Sequence, residues 1–336
     1  KKVWQVENKG KTLFHAIDQS PKKQEILQRS DAIIPFSSWG ETNQFKYNWS
    51  LSDKQWQCQP ESVHKKLENK IRFREILPDN LFADYEIAYT FSDLQQKGEE
   101  MLANHQALVV RSPKRASGVG SKIIGDKKSF YTQECEDFFY EYGDKGLLIE
   151  EFIDEGKEFS IIWDVSTDRE VNFLCWTSQF IKDRVHQGNL VGEKEQVFPW
   201  KSDKLTDEIK QTTKEIVDKY NYPGRIGFDI VADQEGNWKI FECNCRFGGS
   251  SYPNFIREQT KKDRCVVMHN IKPDLPSFRE VHQVFEKLDL AYNEEEETGA
   301  LVANPLCLPE KCAVVIVDKN PQQAENKLNR VLDYFE

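Results

Sequence analysis

The chain has 336 residues, 38% of them hydrophobic and 30% charged, with a formal net charge of −10, which suits a soluble globular protein of roughly two or three domains. No run approaches the ~18 apolar residues of a membrane helix, so no membrane partner is expected, and the acidic balance argues against a nucleic-acid binder, which needs a basic face. Eight cysteines without paired Cys-X-X-Cys motifs are too sparse for a disulfide framework or a zinc site, and with no visible secretory signal the cytoplasm is the expected location.

Lys22 to Arg29 reads as a helix and Asp31 to Phe36 as a short buried strand, a first α/β signal. Trp39, Phe45, Tyr47, Trp49 and Trp56 then crowd one stretch, where core or interdomain packing is the commoner role. From Ser62 to Leu77, apolar Val63, Leu67 and Ile71 recur at four-residue steps and predict a helix that Pro78 ends. Lys66, Lys70 and Arg74 form a basic line on it, ordinarily a solvated face.

Ala107 to Pro113 reads as a strand entering the loop Lys114 to Ser121, and Lys122 to Ile124 as the strand leaving it. Glycine lets a backbone approach phosphates and the loop's cations neutralise them, although Gly-X-Gly in a hairpin is also an ordinary flexible turn. A helix over Lys128 to Tyr142 precedes strands at Leu147 to Ile153 and Glu158 to Val165. Glu170 to Ser178 and Phe180 to Val185 continue the sheet, with His186 to Asn189 as a loop. The helix Leu205 to Lys219 turns Ile209, Thr212, Thr213 and Ile216 inward. Beyond Pro253 the pattern is weaker, with an acidic loop at Glu294 to Glu297, strands at Ala300 to Asn304 and Ala313 to Asp318, and a closing helix Pro321 to Tyr334 that buries Ala324, Leu328 and Val331.

The most informative stretch is Arg225 to Ala232 followed by Trp238 to Arg246, two strands joined by a turn. Alternation puts Glu242, Asn244 and Arg246 on one face and Phe241, Cys243, Cys245 and Phe247 on the other. If Gln234 to Asn237 is the loop, Asp233 pairs with Trp238 and Asp229 falls opposite Glu242. Two opposed carboxylates about 5 Å apart call for a cation, and the Asp, Glu and Asn oxygens are the hard ligands that Mg²⁺ takes.

Together these stretches resemble the ATP-grasp superfamily of carboxylate–amine ligases over roughly Lys66 to Gly249, with Asp229 and Glu242-X-Asn244-X-Arg246 as the most specific part, and Ile149 to Ile153 with Glu158-Phe159-Ser160 next. The resemblance implies an ATP-grasp fold of α/β class in α+β layers: an N-terminal α/β domain over 1–83, a mobile lid over 84–146, and a core with an antiparallel sheet over 147–336. It implies ATP and Mg²⁺ (or Mn²⁺) as cofactors, with the metal on Asp229, Glu242 and Asn244. The nucleotide would meet Lys70, Arg111, the lid loop Ser117, Gly118, Val119, Gly120 and Ser121, and the linker Glu150, Glu151, Phe152 and Ile153, with Glu150 near the adenine amine and Glu158 on the ribose. Arg111 stands where the family usually has a lysine.

The implied reaction joins a small carboxylate substrate and an amine co-substrate, such as amino acids or short peptides, through an acyl phosphate held by Arg246. Lys182 and Arg184 share a strand face and offer cations for an anionic substrate, with His186 as a third. A kinase or carboxylase on the same fold, and a nucleotide-binding regulatory protein without turnover, are the alternatives. A homodimer is among the expected assemblies.

Overall fold

The computed structural model describes residues 17–18, 20–29, 33, 42–52, 58–114, 120–153, 156–182, 185–198, 204–233, 235–261, 263–303 and 308–335. Its described strands form two antiparallel sheets. The smaller has the order β1-β4-β2-β3, from β1 (Tyr85–Ala88), β2 (Leu108–Arg111), β3 (Ser121–Ile124) and β4 (Leu147–Glu151). The larger has the order β11-β12-β10-β7-β6-β5-β8-β9. Its strands are β5 (Lys157–Val165), β6 (Val171–Lys182), β7 (Val185–Gly192), β8 (Gly224–Ala232), β9 (Trp238–Asn244), β10 (Cys265–Ile271), β11 (Gly299–Ala303) and β12 (Cys312–Asp318).

The small sheet and the β5–β9 part of the large one each have one face built into a core and another left for a cavity, whereas β10 and β12 are covered on both faces. In the small sheet Leu108 and Val110 point inward with Leu94, Phe130 and Phe139, while Val109 and Arg111 turn the other way into the cavity, as a period of two requires. The helix Phe91–Met101 that covers the core side starts at a Thr90/Asp93 capping box. In the large sheet Ile226, Phe228 and Ile230 of β8 join the main core with the helix Leu205–Tyr220, whose Leu205, Ile209, Ile216 and Val217 are fully or almost fully buried. A left-handed Asn221 ends that helix.

Several expectations change. The helix expected over Ser62 to Leu77 is two, Glu61–Leu67 and Lys70–Arg74, because Asn69 caps the second by accepting the Ile71 and Arg72 N–H groups. His186 to Asn189 is part of β7 and not a loop, since it pairs with β6 on one side and β10 on the other. Strand β10 and the helices Ser251–Arg257 and Phe278–Lys287 were not expected at all. The 3₁₀ turn Lys127–Tyr131 replaces the start of the helix expected from Lys128. Of the aromatic stretch, Phe45 and Trp49 pack together, with centroids 5.1 Å apart; Trp39, Trp56 and all of the proposed strand Asp31 to Phe36 except Ile33 lie outside the described residues. No described helix is long and apolar enough to cross a membrane.

Gly188 makes the close passage of β7 beside β10 possible, since a Cβ there would run into the Met268 carbonyl oxygen and the His269 Cα. Gly188→Ala is therefore expected to cost about 1–3 kcal/mol by overpacking, read as a lower urea midpoint. An unchanged midpoint would show that the passage has slack.

Candidate active site

The β8–β9 hairpin brings Asp229 opposite Glu242, by a route the sequence did not reveal. At the turn Ala232, not Asp233, pairs with Trp238. Asp233 stays in the loop because its carboxylate accepts the Glu235 and Asn237 N–H groups, both at 2.9 Å. The register is thus one residue off near the turn, and a bulge at Phe241 restores it before Glu242. The bulge also redirects side chains. Cys243 and Cys245 are buried as expected, at 1% exposure each, but Phe241 and Phe247 line the cavity, where Phe241 lies under the Arg111 guanidinium at 4.9 Å and Phe247 under that of Arg225 at 4.3 Å.

Asp229 is 8% exposed. It accepts hydrogen bonds from Ser160 Oγ at 2.6 Å and Asn244 Nδ2 at 2.8 Å. Burial first, and the Glu242 charge second, push its carboxyl up to about 7 despite those bonds. Glu242 is met by Lys70 Nζ at 3.1 Å, and Lys70 is itself 5% exposed. Lys70 is thus no solvated residue of a basic line. A buried carboxylate with a raised pKa beside another carboxylate and an amide is short of positive charge. All the donors are hard oxygens, so the set fits a divalent cation such as Mg²⁺.

Arg246 is held from below by a residue the sequence reading missed. Glu68, at the end of the helix Glu61–Leu67, accepts an Arg246 Nη1 bond and the Cys245 N–H at 3.1 Å. Its other oxygen faces His64 Nε2 at 3.2 Å, while Gln59 Nε2 donates to the Cys245 carbonyl and lies 3.1 Å from His64 Nδ1. Burial would raise the Glu68 carboxyl, but His64 and Arg246 hold it below its usual value. Burial likewise opposes the Arg246 charge, and Glu68, Glu242 and Asp229 outweigh it.

Across the cavity, Glu150 is 1% exposed between two guanidiniums: Arg74 Nη2, and Arg111 Nε at 3.0 Å, an ion pair without hydrogen-bond geometry. The carboxylate expected near an adenine amine is therefore engaged in holding Arg111 and Arg74. The cavity encloses about 440 Å³ between the two sheets. It brings together Lys70, Arg111, Ser121, Glu150, Glu151, Phe152, Ile153, Glu158, Asp229, Glu242, Asn244 and Arg246 from the expected set. Gly120 stands at the start of β3 with φ +72°, a conformation natural to glycine. Ser117, Gly118, Val119 and Arg184 lie outside the described residues, and Lys182 is the last residue of β6, its side chain not described. His186 lines the cavity and bonds to Asn189 Oδ1 at 2.8 Å.

Residues 87–250 match the family model described as an ATP-grasp domain. This segment is an ATP-grasp domain. No curated protein sequence matches the chain, but its fold is found in solved structures of ATP-grasp proteins. The biotin carboxylase domain of Hydrogenobacter thermophilus 2-oxoglutarate carboxylase, solved as a dimer with MgADP, ADP and bicarbonate, is 12% identical with a TM-score of 0.63, over 95% of this chain and 78% of that one. Staphylococcus aureus N5-carboxyaminoimidazole synthetase with ADP is 14% identical with a TM-score of 0.64, over 96% and 83%. The Aspergillus clavatus N5-carboxyaminoimidazole synthase with ADP and its aminoimidazole ribonucleotide is 13% identical with a TM-score of 0.64, over 95% and 84%. At such identities the likeness speaks for the ATP-grasp fold.

Glu68, Lys70 and Arg74 come from helices ahead of the matched segment, so the cavity of the ATP-grasp domain is completed from outside it. For Lys70 and Arg74 the signal in sequence was the basic line itself, concealed by the cap at Asn69, which turns the second helix toward the cavity; Glu68, an acid outside that line, gave none. Glu150→Ala would leave Arg74 and Arg111 without their anion. The expected loss is about 3–5 kcal/mol in urea unfolding, partly recovered by adding Arg74→Met; a single variant as stable as the parent would contradict a buried ion triad.

Proposed function

We propose that the protein is an ATP-dependent carboxylate–amine ligase that forms an amide through an acyl phosphate and releases ADP and phosphate. The observation that carries the reading is the arrangement along one hairpin face: two opposed carboxylates deficient in positive charge, followed by an arginine fixed by a buried acid. A nucleotide binder needs the first for a metal–phosphate complex but has no use for the second.

In this reading Asp229, Glu242 and Asn244 hold Mg²⁺, which when bound neutralises charge on the β- and γ-phosphates. Lys70 and Arg111 add cations on the phosphate side. The backbone from Glu151 to Ile153 meets the adenine and Glu158 the ribose, while Glu150 serves by fixing Arg111. Residues 84–146 act as the lid, between an N-terminal part over 1–83 and a core over 147–336. A carboxylate oxygen of the acid attacks the γ-phosphorus, the bond to the β-bridging oxygen breaks, and ADP leaves. The amine nitrogen then attacks the acyl carbon, the carbon–oxygen bond to phosphate breaks, and the amine gives up a proton. Arg246, kept charged by Glu68, donates hydrogen bonds to the acyl phosphate and to the oxyanion that follows it. Lys182, Arg184 and His186 are proposed to attract the acid.

A second reading takes bicarbonate as the acid, making the reaction a carboxylation; the bicarbonate in the Hydrogenobacter complex favours it. Product mass separates the two, and a stable phosphorylated product in the presence of amines would indicate a kinase instead. A reducing, cytoplasmic setting is proposed on the sparse cysteine content of the sequence. A homodimer is proposed by analogy with the dimeric Hydrogenobacter domain.

Glu242→Gln is expected to abolish ADP release in a coupled assay while the unfolding midpoint stays within a few degrees of the parent; equal turnover would remove the metal assignment. The raised Asp229 carboxyl adds a pH dependence. Its folded value of about 7 lies above its unfolded one, so its contribution to stability is fully present below about pH 4 and is lost as pH rises through 7. A cation favours the charged form, so Mg²⁺ should raise the melting temperature more at pH 8 than at pH 5. The opposite order would place the metal elsewhere.

A further inference from the structure

We infer that a second cavity, opening beside Arg225 and Phe247, seats the amine co-substrate, and that this co-substrate is an α-amino acid with a large apolar, aromatic side chain. The inference rests on the ligase reading and adds to it a substrate class and the residues that select it.

The charge pattern of the hairpin comes first. Arg225 lies two and four residues before Gly227 and Asp229 on β8, so it shares their face. Gly227 and Asn244 are the last pair of the β8–β9 ladder, and Arg225 and Arg246, two residues beyond them on either side, both line the larger cavity. The face is anionic at one end, with Asp229 and Glu242, and cationic at the other, with Arg225 and Arg246. Phosphoryl transfer accounts for Arg246 and leaves Arg225 without a task.

Arg225 is also fixed as an anion receptor would be. Its guanidinium lies on the Phe247 ring at 4.3 Å, and its Nη1 donates to Ser251 Oγ at 3.3 Å. Asp164 is 3.9 Å from its Nε, and Nε has no hydrogen-bond partner. Asp164 at that distance leaves the fork without a close anion, and a bound carboxylate would meet the open Nε and the guanidinium charge. That carboxylate is distinct from the reacting one, which belongs at Arg246 beside the metal ligands.

The cavity supplies the rest. It encloses about 250 Å³, and Arg225, Phe247 and Ser251 line both it and the larger cavity. Its remaining wall is the helix Ser251–Arg257 and the residue after it, which present the rings of Tyr252, 52% exposed, and Phe255, 59% exposed. Asn254 lines the same wall at 2% exposure. Its Nδ2 donates to Glu258 at 2.9 Å, which fixes the amide orientation, and its Oδ1 has no partner. A buried acceptor left open in a cavity wall is one that a ligand donor would satisfy. Three rings and one arginine, with the Glu258 carboxylate accepting from Asn254, suit a ligand with an apolar body and a single anionic group placed at the arginine. Arg225 and Arg246 line the same larger cavity, so an amino acid whose carboxylate sits at Arg225 can turn its α-amine toward Arg246, where the acyl carbon belongs. Its side chain then falls among Phe247, Tyr252 and Phe255.

Calorimetry on the full chain with Mg²⁺ and a non-hydrolysable ATP analogue tests this, with L-phenylalanine, phenethylamine and L-alanine as probes. Phenylalanine is expected to bind at least about tenfold more tightly than either of the others, one losing the charged contact and the other the rings. Arg225→Gln should erase the preference over phenethylamine and Arg225→Lys should keep part of it, while Tyr252→Ala with Phe255→Ala should erase the preference over alanine; the unfolding midpoints should stay near the parent's. Equal binding of the three probes, or an Arg225→Gln variant that weakens phenylalanine and phenethylamine alike, would overturn the inference. The ligase reading fails separately: phenylalanine that binds as expected but supports no ADP release with pooled acids would sink that reading and leave the subsite. ADP release confined to amines without a carboxylate would sink the subsite and leave the ligase.

Discussion

Two carboxylates facing each other across one strand pair are the constraint around which this site is built. Asp229 is buried, and Glu242 stands opposite it; such a pair is stable only with protons or cations. The protein provides part of the compensation itself, through the Ser160 hydroxyl, the Asn244 amide and Lys70. What remains uncompensated appears as the raised Asp229 carboxyl. In the proposed reading, the same deficit that costs stability in the free protein would provide affinity for a metal–nucleotide complex.

The buried acids elsewhere in the cavity work the other way, each fixing a cation. Glu68 fixes Arg246 and Glu150 fixes Arg74 and Arg111. A buried acid that holds a guanidinium in place removes much of the entropy cost of ordering it around a ligand. Both arrangements depend on the helices between Pro60 and Glu75, which connect the small sheet to the large one: Lys70 N–H bonds to Pro113 O just beyond β2 of the small sheet, and Cys245 N–H just beyond β9 of the large one bonds to Glu68.

The sequence carried most of the fold wherever burial followed a simple period. The helix Leu205–Tyr220 and the closing helix have one apolar stripe each, and both were legible. Strand β10 was not, because it is buried on both faces in mid-sheet and shows no alternation. His186 to Asn189 read as a loop for a related reason: Gly188 signals a turn, but here its missing side chain admits the neighbouring strand.

For the site, the sequence by itself determined the chemistry of the hairpin: which residues carry carboxylate and amide oxygens, that Asp229 meets Glu242, and that Arg246 follows toward the same cavity. Those features depend on local pairing and a period of two, and they survive a one-residue error at the turn because the bulge at Phe241 cancels it. Only the tertiary structure decided the partners of these residues. That Glu68 clamps Arg246 joins positions 178 residues apart, and that Arg74 and Glu150 share a buried charge joins positions 76 residues apart. No periodicity relates such pairs. They exist because burial leaves each charge no water to turn to, so that each must find its counterion in whatever element the packed sheets bring beside it.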